Sequence, residues 1–86
     1  MTIIEELGEI NPKAMIPIGL EEAVVGYSDQ VGEETRAVVS IDKCLDILVK
    51  DQGMTREEAV EYFTFNTSGA YMGEHGPVYV YLKEGL

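Results

Sequence analysis

An α+β domain is the expected fold: a small antiparallel three-stranded sheet packed on an αα-hairpin, in the order helix, strand, strand, helix, helix, strand. Two apolar stripes at helical spacing meet across a tight glycine turn, Cys44, Leu45 and Leu48 before Gly53 and Ala59 and Phe63 after it. Three short segments rich in β-branched and aromatic residues read as strands. A chain of 86 residues with 45% apolar content supports one thin core and one domain. Within residues 1–86, an N-terminal helix and irregular arm (1–22) precede a ββααβ body (23–86).

The elements follow from local chemistry. Thr2 and Glu5 have capping-box spacing, and Ile3, Ile4, Leu7 and Ile10 form the apolar face of a helix that Asn11-Pro12 terminates. Residues 12–22 alternate Pro12, Pro17 and Gly19 with Met15, Ile16, Ile18 and Leu20, an irregular apolar segment suited to core cover or to self-association. Ala23–Tyr27 and Thr35–Ile41 read as strands, and a polar link between them favours an antiparallel pair. Asp42 is placed as the N-cap of the next helix, with an Asp46–Lys50 pair on its exposed side. Gly53 suits the left-handed residue that ends that helix. Thr55 and Glu58 form a second capping box for a helix from Arg56 to about Gly69, with Ala59, Phe63, Asn66 and Ala70 along its core line. Gly69, Gly73 and Gly76 punctuate the exit. Pro77–Leu82 is the last strand, with Val78, Val80 and Leu82 on one face and Tyr79 and Tyr81 on the other.

The stretch from about Asp42 to Tyr81 resembles a family of small uncharacterised proteins of phages, prophages and their bacterial hosts. The resemblance is carried by Asp42-Lys43-Cys44-Leu45, by Gly53-Met54-Thr55-Arg56-Glu57-Glu58-Ala59-Val60-Glu61-Tyr62-Phe63, and by Phe65-Asn66, Gly69-Ala70-Tyr71, Gly73-Glu74 and Pro77. Tryptophan is usual in that family where Tyr71 stands. The resemblance implies a small α+β domain and a mobile-element context, and it implies no activity.

Net charge is −10, and it is uneven. Residues 1–34 hold eight acids against Lys13 alone, whereas residues 35–86 hold eight acids and five bases. Such a field repels nucleic acid and anionic membrane surfaces, and attracts a basic protein surface. Glu5, Glu6, Glu9, Glu21, Glu22, Glu33 and Glu34 are therefore the candidate partner-binding residues. Solubility alone is the plainer account of the same charge. No apolar run reaches the roughly 20 residues of a membrane span. Met1–Glu6 has no basic start or long apolar stretch, so an export signal is not expected. Cys44 is the single cysteine, which suits a reducing, cytoplasmic setting.

Reaction chemistry is sparse. His75 is the single histidine, and with Tyr71, Gly73 and Glu74 it forms the alternative ligand-binding loop. A lone histidine is a poor metal set, and glycines after a helix and before a strand reverse the order that aims a helix N-terminus at phosphate. Cys44 lies on an apolar stripe and reads as structural. Glu57 and Glu58 suit a helix start. The expectation is a non-enzymatic protein-binding module without catalytic residue, metal or cofactor. The alternatives are a ligand binder or enzyme at Gly73–Pro77, and a homo-oligomer built on Met15–Leu20 or on the edge of the final strand.

Overall fold

A computed structural model describes residues 2–65 and 73–83. Its elements are α1 (Ile3–Ile10), a 3₁₀ turn (Glu21–Ala23), β1 (Val24–Tyr27), β2 (Ala37–Ser40), α2 (Ile41–Gln52), α3 (Arg56–Phe63) and β3 (Val78–Val80). The class is α+β with a three-stranded sheet in the spatial order β1-β2-β3.

The sheet is mixed, which corrects the antiparallel expectation. β1 and β2 pair antiparallel, with Val24 opposite Val39, Tyr27 opposite Ala37 and a register shift between Val24 and Gly26. β2 and β3 pair parallel, Val38 beside Val78 and Val39 beside Tyr79. A helical hairpin tends to return the chain toward the end of the sheet it left, so a short link to β3 favours an antiparallel pair. The chain between α3 and β3 is long enough to reach back along the sheet, as parallel pairing requires. The element order also differs from expectation, because the 3₁₀ turn closes on Ala23 and delays β1 to Val24.

Both capping boxes form. The Thr2 hydroxyl accepts from Glu5 N–H at 3.1 Å, and the Thr55 hydroxyl accepts from Glu58 N–H at 3.1 Å. Each glutamate returns a bond to the N–H of its threonine, so two otherwise unpaired groups are satisfied at each helix start. Gly53 ends α2 at φ 68°, a left-handed conformation that L side chains resist.

Ser40, not Asp42, caps α2: its hydroxyl accepts from Lys43 N–H at 3.3 Å, and the helix begins at Ile41. β2 therefore runs straight into α2 without a loop. Both residues are good N-caps by type, and the buried position of Ser40 at the end of β2 selects it. The expected Asp46–Lys50 pair gives way to Asp46 with Arg56, at 3.2 Å across the hairpin. Arg56 also reaches Asp42 at 3.5 Å. All three side chains are about half exposed, so this network contributes on the order of 1 kcal/mol or less. The C-terminal part of the expected helix, including Asn66, Gly69 and Ala70, lies outside the described residues.

The helices share one core with one face of the sheet. Leu7 of α1, Ala37 and Val39 of β2, Cys44 of α2 and Ala59 of α3 are almost wholly buried. Tyr79 of β3 meets Phe63 of α3 edge to face, centroids 5.2 Å apart. The irregular arm packs on the same core through Ala14, Ile16 and Leu20, whereas Ile18 is fully exposed. Residues 2–22 and the body thus share one apolar interior.

Leu7 docks α1, an eight-residue helix too short to persist alone. Leu7→Ala is expected to cost about 3 kcal/mol in urea unfolding. Val31→Ala, at a fully exposed loop position, is expected to change stability by less than about 0.5 kcal/mol.

Candidate functional site

Two features carry polar or exposed chemistry: the His75 loop, and the exposed side of α3. The loop is bound to the N-terminal arm through Asn11, which is only 7% exposed. Asn11 Nδ2 donates to the Thr35 carbonyl at 2.8 Å and faces His75 Nδ1 at 3.1 Å. Its Oδ1 accepts from Lys13 N–H at 3.2 Å, which sets the orientation of the amide. An amide nitrogen only donates, so His75 Nδ1 must accept and the ring proton sits on Nε2. Nε2 in turn faces Glu74 Oε1 at 3.6 Å. The backbone reinforces the link, since Met15 N–H donates to the His75 carbonyl at 3.0 Å.

In this tautomer neither ring nitrogen presents a lone pair to a substrate. A general base needs one, so the arrangement favours a structural role for His75. Gly73 has φ 81° and its carbonyl accepts from Gly76 N–H at 3.1 Å, which closes the turn that holds the ring. Tyr71, the remaining member of the expected ligand loop, lies outside the described residues.

The acidic candidates occupy several places. Glu5 belongs to the α1 capping box. Glu6 Oε2 accepts from the Tyr27 hydroxyl at 3.1 Å, joining α1 to the end of β1, and the hydrogen bond to this carboxylate pushes the Tyr27 phenol up. Glu21 Oε1 accepts from Gly19 N–H at 3.1 Å, and backbone N–H groups of Glu21 and Gly19 hold its carboxyl below the ordinary range. Glu9, Glu33 and Glu34 are exposed on α1 and on the β1–β2 link. Glu22 lines a shallow trough of about 280 Å³ with Lys43, Asp46, Ile47, Lys50 and Asp51, where both signs of charge alternate. The seven candidates are thus spread over α1, the 3₁₀ turn and the β1–β2 link, with three of them engaged in local bonds.

The exposed side of α3 was not singled out by sequence reasoning. Met54, Glu58, Glu61, Tyr62 and Phe65 line an open groove of about 350 Å³. Their spacing is helical, but Glu58 already had an explanation as a cap and Tyr62 as packing. Ala59 and Phe63, the core line read from the sequence, are buried, so this side faces outward.

Cys44 is fully buried, and desolvation pushes its thiol up to about 11. Among the described residues no three His, Cys, Asp or Glu side chains gather closely enough to hold a metal ion, and no helix is long and apolar enough to cross a membrane. Compared with known protein families, curated proteins and solved structures, the chain matches none.

Asn11→Ala removes the bonds to three segments and is expected to cost about 2 kcal/mol or more in urea unfolding. Nitrogen-15 NMR of the His75 ring at neutral pH is expected to show the proton on Nε2, and Asn11→Ala to release that preference. The Cys44 thiol is neutral in the fold and ionises more readily in the unfolded chain. Its contribution to stability is therefore complete below the ordinary thiol range and lost as pH rises toward about 11. Thiol-labelling reagent at pH 8 is expected to react only after denaturant is added.

Proposed function

We propose that this protein is a small non-enzymatic protein-binding module of phage or prophage type, acting in the cytoplasm on a partner with a basic surface. The observation that carries this reading is the charge: net −10, with eight acids against one base in residues 1–34. Glu9, Glu22, Glu33 and Glu34 are exposed and can attract a partner without breaking a cap. A field of this sign raises the association rate of a basic protein and suppresses contact with nucleic acid and anionic lipid. The resemblance of residues 42–81 to phage and prophage proteins supplies the setting.

A second reading has its own observation. Ile18 is 96% exposed and Met15 41% exposed, within the Met15–Leu20 segment. Apolar side chains exposed in this way favour self-association, while Ile16 and Leu20 of the same segment pack on the core. Concentration-dependent mass in light scattering would support the homo-oligomer, and a monomer throughout would remove it. The His75 loop is the weaker basis for a ligand site, because Asn11 already engages its ring.

Affinity capture from a bacterial lysate tests the first reading. A basic protein retained at low salt and released at high salt is the expected outcome. The triple variant Glu9→Lys, Glu33→Lys, Glu34→Lys is then expected to slow association about tenfold with an unchanged melting temperature. Capture that ignores both salt and these substitutions would reduce the charge to a solvated surface.

A further inference from the structure

We propose that the contact between His75 and Asn11 is a proton-operated latch. The neutral ring holds the N-terminal arm to the turn before β3, and the imidazolium releases it. Two backbone groups of fixed polarity set the Asn11 amide. The Thr35 carbonyl can only accept, and it takes Nδ2 at 2.8 Å. The Lys13 N–H can only donate, and it meets Oδ1 at 3.2 Å. Turning the amide over would set oxygen against oxygen at Thr35 and donor against donor at Lys13. Nδ2 therefore faces His75 Nδ1 as a donor at 3.1 Å, and the bond exists only while Nδ1 keeps its lone pair.

A second proton on the ring occupies that lone pair. Two donors then face each other, and the amide cannot turn to accept without losing both Thr35 and Lys13. The ring is the side that can move, since Asn11 is 7% exposed and the His75 side chain 20%. Glu74 favours the move: its exposed carboxylate lies 3.6 Å from Nε2 and attracts the ring once it is charged. From the other two segments, Lys13, Glu34 and Arg36 flank Asn11 and Thr35 in sequence, and none of their side chains bonds to the ring. On release the arm loses the bond from Nδ2 to the ring and the neighbouring bond from Met15 N–H to the His75 carbonyl at 3.0 Å. It keeps its apolar hold through Ala14, Ile16 and Leu20, so the opening is local and the body stays folded. The latch is closed while the ring is neutral. It opens as pH falls through the range in which imidazole charges, about pH 8 to pH 5, and it needs no partner.

The test is a nitrogen-15 NMR titration of the full chain from about pH 8 to about pH 5. That window stops above the ordinary carboxylate range. The Asn11 side-chain amide, the Lys13 and Met15 N–H signals and the His75 ring are expected to shift with one midpoint. Hydrogen exchange at Met15 N–H, corrected for its intrinsic pH dependence, is expected to quicken about tenfold once the ring is charged, the scale of one lost hydrogen bond. His75→Asn is the control that does not titrate. Its amide oxygen can stand where Nδ1 stands and accept from Nδ2 at any pH in the window. In that variant the Asn11 and Met15 signals should stay still across the titration.

A ring that takes up its second proton while the Asn11 and Met15 signals stay still would overturn the latch. So would a ring that remains neutral down to about pH 5. Signals that follow pH equally in His75→Asn would assign the change to other groups and overturn it as well. If His75→Asn melts lower than the parent at about pH 8, the parent chain decides alone, by whether His75, Asn11 and Met15 share their midpoint.

Discussion

The buried amide of Asn11 joins three parts of the chain that lie far apart in sequence. The backbone N–H of Asn11 closes the end of α1 on the Leu7 carbonyl, while its side chain holds the carbonyl of Thr35 ahead of β2 and engages the ring of His75 ahead of β3. Buried polar groups without partners destabilise a core by a few kcal/mol, so the three segments must arrive together for the amide to be tolerated. This makes the N-terminal arm part of the fold. It also explains why the single histidine, the most reactive-looking residue at sequence level, is occupied within the molecule.

Around that junction the structure is economical. Its core is built from small and medium side chains, and α1 and α3 are only eight residues each. Helices of that length are unstable alone. Caps at their starts and docking of Leu7, Ala59 and Phe63 sustain them together. Cys44 belongs to this interior. Its thiol is kept neutral by the same desolvation that makes it a good core residue, and that separates it from reactive cysteines, which need exposure and positive neighbours.

Surface chemistry follows a different logic. Several carboxylates that look like a binding face are local structural groups: Glu5 and Glu58 complete caps, Glu6 holds Tyr27, and Glu21 folds onto Gly19. Those left to act at a distance are the exposed acids of α1, the 3₁₀ turn and the β1–β2 link. Long-range attraction sets how fast a partner arrives, while apolar contact at short range sets how long it stays. In the proposed arrangement the exposed acids serve the first step.

Local rules determined a good deal from the sequence alone. The α+β class, both capping boxes, the left-handed Gly53, the burial of Cys44 and the inward side of α3 all depend on residues within a few positions of each other. Such short-range preferences persist where no distant partner competes with them. What only the tertiary structure decided involves competition between distant or equivalent partners. Ser40 prevailed over Asp42 because β2 buries it. Arg56 prevailed over Lys50 because the hairpin brings it to Asp46. Asn11, legible only as a helix stop, became a junction because Thr35 and His75 arrive beside it. The parallel pairing of β3 is of the same kind. Strand direction depends on the path of a long connection, and neither residue type nor periodicity encodes that path.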